Sequence, residues 1–350
     1  MNLFKSNKTA VHLLLSFCTI LFLSGCFGCQ NNSQAVYEGE PVEPVKIKRF
    51  ERELFSIEAG QLEPALENLF RKYGDFYFYY AQDMLAMPFE GDSLFTKQIR
   101  MLLNYAPFQK LYRQVDSFYT DLSDVETGLT SAMGIYTAQF PNARIPEFVS
   151  FISEFGYANV TFDKQIGIGL DMYMNTVFKD YYHSLEFPEF MIRKLRREYI
   201  LPNIIKALGL ARYESQTSRD RRFIAQMLYE GKVKYFTKAL LPDVHDTLIL
   251  GYTSAQLKWV EENEAEMWAH YAEKELLYKD EPTLYMRYLN DGPFTSADGV
   301  PHESAPAIGV WTGWKIIQSY MRKNPEVTLE QLMQEKDFDK ILKLSRYKPA

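Results

Sequence analysis

Phe148-Val149-Ser150-Phe151-Ile152, Ala158-Asn159-Val160-Thr161-Phe162 and Ile166-Gly167-Ile168-Gly169-Leu170-Asp171-Met172-Tyr173 decide the fold class of this chain. The three runs are rich in β-branched and aromatic residues. Gly156-Tyr157 and Asp163-Lys164 break them, as short strands joined by hairpin-like turns require. On either side, apolar residues recur at helical spacing. Upstream the stripes are Leu62, Ala65, Leu66, Leu69, Phe70; then Leu111, Tyr112, Val115, Phe118, Tyr119, Leu122; then Leu129, Met133, Tyr136, Phe140. Downstream, Pro188 suits a first helical position ahead of Met191, Ile192, Leu195 and Tyr199, and Pro202 is expected to kink or end that helix. Asp220 is placed to cap a helix whose stripe runs from Phe223, Ile224, Met227 and Leu228 to Tyr235. Thr253 or Ser254 starts a long charged helix carrying Leu257, Trp259, Val260, Met267, Trp268 and Tyr271. Gly309, Gly313, Trp314, Ile317, Tyr320 and Met321 make a last apolar face in which the two glycines permit close helix contact. The class is α+β, mostly α. Residues 45–350 are expected to form a single domain, with a split near residue 145 as the alternative.

The N-terminus has its own pattern. Lys5 and Lys8 precede an apolar stretch of 13 residues, Val11 to Leu23, which falls short of the roughly 20 residues needed to span a bilayer. Leu23-Ser24-Gly25-Cys26 closes it as a lipobox, with small residues for a peptidase that holds extended backbone and a thiol for diacylglycerol. Residues 1–25 are therefore expected to be a lipoprotein signal peptide and Cys26 the lipid attachment site. One acyl chain anchors only marginally, so two or three would be needed for a firm hold. Residues 26–44 mix Gly, Pro, Asn, Gln and Glu without periodicity and read as a flexible tether of roughly 25 Å reach. Phe27 and the absence of a following acidic run give no signal for inner-membrane retention or surface display. The periplasmic face of the outer membrane is the expected location.

Removing residues 1–25, which hold two lysines and no acid, takes the formal charge from −6 to −8. An acidic body argues against a nucleic-acid partner. The mature chain keeps only Cys26 and Cys29, so it has no internal disulfide framework and depends on its core. With 47% hydrophobic residues, 24 Tyr and 25 Phe, that core can be large.

Several stretches carry a family resemblance: Ile47-Lys48-Arg49-Phe50-Glu51-Arg52-Glu53-Leu54-Phe55, Ile168 to Tyr173, Gly251-Tyr252-Thr253, Pro293-Phe294-Thr295, Trp311-Thr312-Gly313-Trp314 and Ser345-Arg346-Tyr347-Lys348-Pro349. Together they resemble the GldB-type gliding-motility lipoproteins of Bacteroidota over essentially the whole mature chain. The resemblance implies a membrane-anchored, non-enzymatic protein needed for assembly or function of the gliding machinery. Its implied partners are gliding or secretion proteins, and no cofactor is implied. Near Gly309 the family reads more like Ser-Pro-Gly-Arg, where this chain has Ser304-Ala305-Pro306-Ala307.

A more distant similarity is to predicted zinc-dependent proteases, which implies a zincin-like body. Such enzymes need His-Glu-x-x-His, because positions i and i+4 place two imidazoles on one helical face, and a Glu from a following helix completes the zinc site. Here Arg197-Glu198-Tyr199-Ile200-Leu201 stands in that place, and Lys234 stands where the third ligand is expected. Arg and Lys carry protons at neutral pH and Leu has no lone pair, so Arg197, Leu201 and Lys234 cannot hold a divalent cation. The implied metal site is degenerate, with Glu198 its surviving carboxylate. Arg197 or Lys234 is expected to pair with Glu198 in the metal's place; the alternative is a solvated helix face.

Other chemistry has less support. His183, His245, His270 and His302 show no ligand spacing, and His302-Glu303-Ser304 lacks a nucleophile elbow. Glu261, Glu262, Glu264 and Glu266 lie on a helix without the loop that wraps calcium. Asp171 reads as a turn or cap residue, or as a partner for a functional loop. Two other function classes stay open: a cell-envelope peptidase using an unrecognised site, and an envelope glycan-binding module drawing on the many Tyr and Trp residues.

Overall fold

A four-stranded sheet divides the protein into two hydrophobic cores. The structure is a computed structural model that describes residues 37–85, 92–162, 164–213 and 220–349. The strands are β1 (Ile47–Arg49), β2 (Glu147–Phe151), β3 (Asn159–Phe162) and β4 (Gln165–Gly169), in the order β1-β2-β4-β3. β2 runs parallel to both β1 and β4, while β3 and β4 form an antiparallel hairpin. Side chains alternate across a strand. Phe148, Ile166 and Ile168 therefore enter the larger core, while Val149, Phe151, Val160 and Phe162 face the smaller one.

The helices are, in chain order, α1 (Phe50–Phe55), α2 (Leu62–Tyr73), α3 (Asp75–Tyr79), α4 (Asp92–Asn104), α5 (Ala106–Phe118), α6 (Ser123–Gln139), α7 (Asn175–Ser184), α8 (Glu189–Ile192), α9 (Ile200–Tyr213), α10 (Phe223–Leu240), α11 (Asp246–Leu250), α12 (Ser254–Glu262), α13 (Glu264–Glu273), α14 (Pro282–Tyr285), α15 (Ile308–Lys323), α16 (Leu329–Gln334) and α17 (Phe338–Ser345). α1 to α4 close the smaller core, in which Phe50 sits edge-on to Tyr73, Phe76 and Tyr80 at centroid distances of 5.0, 5.2 and 4.8 Å. α5, α6, α9, α10 and α15 build the larger one. Among the described residues no helix is long and apolar enough to cross a membrane.

Of the two glycines read as contact points on α15, Gly313 meets the backbone of α10, while Gly309 packs on the Phe223 ring and the Tyr288 carbonyl. A Cβ on Gly313 would stand 1.9 Å from the Met227 carbonyl oxygen, and one on Gly231 would stand 2.3 Å from the Gly313 carbonyl carbon. The backbones of α10 and α15 touch there.

Four expectations change. β2 and β3 are not hairpin neighbours, because β4 lies between them; every β4 residue is buried, as a central strand requires. Pro202 does not end a helix: α9 starts at Ile200, and proline is harmless in a first turn whose N–H groups have no intrahelical acceptor. The helix begun by Thr253, which forms a capping box with Gln256, breaks at Asn263, whose Nδ2 donates to the Trp259 carbonyl at 2.7 Å. Asp220 accepts from Arg222 N at 3.1 Å and pairs with its guanidinium, three residues before α10 begins, so it braces the approach to the helix and does not cap it.

Cys26, the signal peptide and the tether through residue 36 lie outside the described residues. Residues 37–44, assigned by sequence to the tether, lie against α6. Glu40 N donates to the Gly134 carbonyl at 3.1 Å, and Tyr37 and Tyr235 join hydroxyls at 3.3 Å. A Cβ on Gly134 would come within 2.5 Å of the Glu40 oxygen. Backbone contacts and the Tyr37 and Val42 side chains make this attachment, in a segment without the apolar periodicity that marks a helix or strand.

Candidate functional site

The motif residues 47–55 are structural. Phe50 and Leu54 enter the smaller core, and Arg49 Nη1 and Arg52 Nη2 donate to the Tyr119 carbonyl at 2.9 and 3.1 Å, just past the end of α5. Buried Glu51 accepts from Arg49 Nε at 2.5 Å and Ser150 Oγ at 2.8 Å, tying β1 to β2. Trp311 and Trp314 are core residues. The exposed tyrosines Tyr79, Tyr105, Tyr157, Tyr181 and Tyr278 lie on separate segments of the chain.

The proposed metal positions do not converge. Arg197 bonds Asp124 of α6 through Nε and Nη2 at 3.0 and 2.6 Å, and its guanidinium lies over the Tyr119 ring. Leu201 leans on Gly128 of the same helix. Glu198 pairs with Arg196 at 3.0 Å, so the expected pairing with Arg197 or Lys234 is replaced by a neighbour two residues away. The cause is local: residues 197–199 form a single 3-10 turn ahead of α9, so positions 197 and 201 do not share one α-helical face with an inward carboxylate.

Lys234 goes elsewhere. It reaches a cavity of about 280 Å³ bounded by α9, α10, the end of α11 and the start of α15. α9 and the residue before it present Tyr199, Asn203 and Lys206 to this space, and α10 presents Glu230 and Lys234, each set at the helical spacing of one face. Lys234 Nζ donates to the Ile249 carbonyl at 2.7 Å. Burial is the main cause that lowers its pKa to about 7, with Lys206 and Lys194 adding repulsion against Glu230 and Asp291. On the opposite wall Lys194 Nζ meets both Asp291 carboxylate oxygens at 2.6 Å, passing over Gly251. Gly251 has φ +75°, and a Cβ there would press on Lys194 Cε at 3.1 Å. Burial also lowers the Lys194 pKa, outweighing Asp291.

Ala307, at the cavity rim, is the N-cap of α15 and holds φ 50°, ψ 44°. A side chain in left-handed backbone costs roughly 1–2 kcal/mol, of which a glycine's extra chain entropy takes back up to about 1 kcal/mol. Ala307→Gly is expected to stabilise by about 0.5 kcal/mol, read as a rise in the denaturant midpoint at unchanged slope. A fall in the midpoint would show that the left-handed cap carries no strain.

Asp171 anchors a loop. It is fully buried; Oδ2 accepts from Ser153 N at 3.1 Å and Phe155 N at 2.7 Å, while Oδ1 has no partner among the described residues. Glu154 and Phe155, inside the turn, have φ 51° and 65°. Burial, opposed by those hydrogen bonds, pushes the Asp171 pKa up to about 6.

The histidines serve separate local roles. His245 Nδ1 accepts from Thr247 N as the cap of α11, His270 Nε2 meets the Tyr288 hydroxyl at 2.8 Å, His302 stacks on Phe294, and exposed His183 is 3.3 Å from Glu189. Glu264 is buried and accepts from the Tyr347 hydroxyl at 2.7 Å. A larger groove of about 1000 Å³ beside the sheet is lined by Arg71, Lys72, Arg144, Lys164 and Arg212, of which Arg71, Lys72 and Arg212 are bonded, to Asn68, Glu53 and the Tyr136 and Tyr213 hydroxyls respectively. None of the site residues expected from sequence lines that groove. Of the cavity's lysines, sequence singles out Lys234 alone; Lys194 and Lys206 carry no motif that ties them to it.

Comparison with curated proteins and comparison with solved structures each give no match. The family model described as "Gliding motility protein GldB" matches residues 30–349, nearly all of the chain, so the protein belongs to the GldB family of gliding-motility lipoproteins.

Proposed function

We propose that the protein is a non-enzymatic component of the gliding machinery, anchored through lipid on Cys26 at the periplasmic face of the outer membrane, where it supports assembly or function of gliding and secretion proteins. The carrying observation is the chemistry between α9 and α10. Lys206 and Lys234 line the cavity between α9 and α10, and a protonated amine offers a metal ion no lone pair. Among the described residues no three His, Cys, Asp or Glu side chains gather where an ion could sit. The zincin-like relation is part of this proposal and rests on the succession of α9 and α10. Nucleic acid is not among the proposed partners, in keeping with the acidic charge.

The test uses full-length lipoprotein extracted in detergent. Metal analysis is expected to find substoichiometric zinc, and a broad peptide library to show no turnover. In cells, Cys26→Ala is expected to release the protein from the membrane fraction and stop gliding, whereas Glu198→Gln leaves gliding intact. One zinc per chain together with peptide turnover abolished by Glu198→Gln would sink the non-enzymatic reading.

A further inference from the structure

We propose that the cavity between α9, α10 and the start of α15 is a binding site for a small oxyanion, the carboxylate or phosphate group of a ligand, with the Lys206 and Lys234 ammonium groups as its donors. The inference rests on reading this cleft as a site without metal.

Three features support it. Lys206 lines the cavity and has no hydrogen-bond or ion-pair partner among the described residues. Lys234 commits one N–H to the Ile249 carbonyl and keeps two for a ligand. Lys194 and Asp291 neutralise each other, which leaves Lys206, Lys234 and Glu230 as the remaining charges, a net positive space while Lys234 is protonated. The first turn of α15 adds its positive end, with Ala307 and Val310 on the wall. Without a ligand, Lys206 repels Lys234 and burial penalises the Lys234 charge. An oxyanion between them offsets both the repulsion and the desolvation.

The groups facing Lys234 are Lys206 from α9, Glu230 from its own helix, and Lys194 and Asp291 from the flanking loops. Tyr199 and Tyr252 also line the space, the latter with its hydroxyl committed to the Pro306 carbonyl at 2.8 Å. With the Lys234 pKa lowered to about 7, the amine is largely neutral above that pH. An anion stabilises its protonated form, so binding takes up a proton and weakens as pH rises through 7.

Detergent-extracted full-length protein is titrated calorimetrically with sulfate, which carries the same charge across this range, and with acetate at constant ionic strength. Saturation by sulfate points to a phosphate-bearing ligand, and saturation by acetate to a carboxylate. At least one is expected to saturate at pH 6.5, to bind about tenfold more weakly at pH 8.5, and to lose tenfold or more in affinity in both Lys206→Ala and Lys234→Met. If Lys234→Met fails to fold, Lys206→Ala, which removes a side chain with no internal bond, decides alone. Lack of saturation by either anion, affinity unchanged or rising with pH, or retention in either folded variant overturns the proposal. Zinc content and peptide turnover are measured separately, so failure of anion binding leaves the non-enzymatic reading standing.

Discussion

Gly313→Ala is expected to destabilise the protein by about 4 kcal/mol, among the largest effects of any single methyl group in this chain. The added carbon would lie 1.9 Å from the Met227 carbonyl oxygen and 2.5 Å from its carbon. Those atoms belong to the backbone of α10, so no rotamer change can make room. α10 is buried over most of its length and α15 is packed along it, so separating the two opens the larger core. Gly309→Ala is the control: its Cβ would meet the Tyr288 oxygen at 3.0 Å and the Phe223 ring at 3.1 Å, a fit that costs about 1 kcal/mol once the ring yields. Chemical denaturation of the two variants checks the contrast. Equal stability losses would mean that the helices do not cross at Gly313.

The second large effect is at Asp171. Asp171→Ala leaves the Ser153 and Phe155 N–H groups buried without an acceptor and frees a turn with two left-handed residues, a loss of about 3 kcal/mol. Asp171→Asn keeps an acceptor oxygen but removes the charge. The folded pKa of about 6 lies above the unfolded value of 3.8, so the folded state favours the protonated acid. This group's stabilising contribution is therefore complete below pH 3.8 and is lost as pH rises through 6, an effect of roughly 3 kcal/mol. Measured by urea unfolding at pH 4 and pH 7, the wild type should gain about 2 kcal/mol on the Asn variant at the lower pH, since at pH 4 the unfolded carboxyl is still partly ionised. A difference that does not change with pH would show that Asp171 is charged at no cost.

Much of this architecture is legible in the sequence, wherever an apolar stripe maps directly onto burial. α2, α5, α6, α10 and the glycine face of α15 follow their periodicity, and each strand run contains a strand. Three features are not legible. β1 is three residues long and two are charged; its place in the sheet depends on pairing with β2, and periodicity cannot show pairing. The order β1-β2-β4-β3 depends on the left-handed turn clamped by Asp171, in a sequence, Ser153-Glu154-Phe155-Gly156, whose only glycine is not at the positive-φ positions. The lysine cavity unites Lys194, Lys206 and Lys234 across 40 positions of chain. The similarity to zinc-dependent proteases implies one shared site for Arg197, Leu201 and Lys234; the 3-10 turn divides those residues between α6 and the cavity.

The parallel pairing of Lys48 with Val149 has a consequence for assembly. About a hundred residues separate partners in the first ladder, and closing so long a loop costs entropy before any contact rewards it. As the chain emerges from its N-terminus, α2 to α6 can form from local contacts, while β1 remains an unpaired edge until Phe151 is available and β4 completes the centre. Sheet closure is therefore a late and non-local event, and until then the aromatic side chains of the smaller core have no strand to cover them.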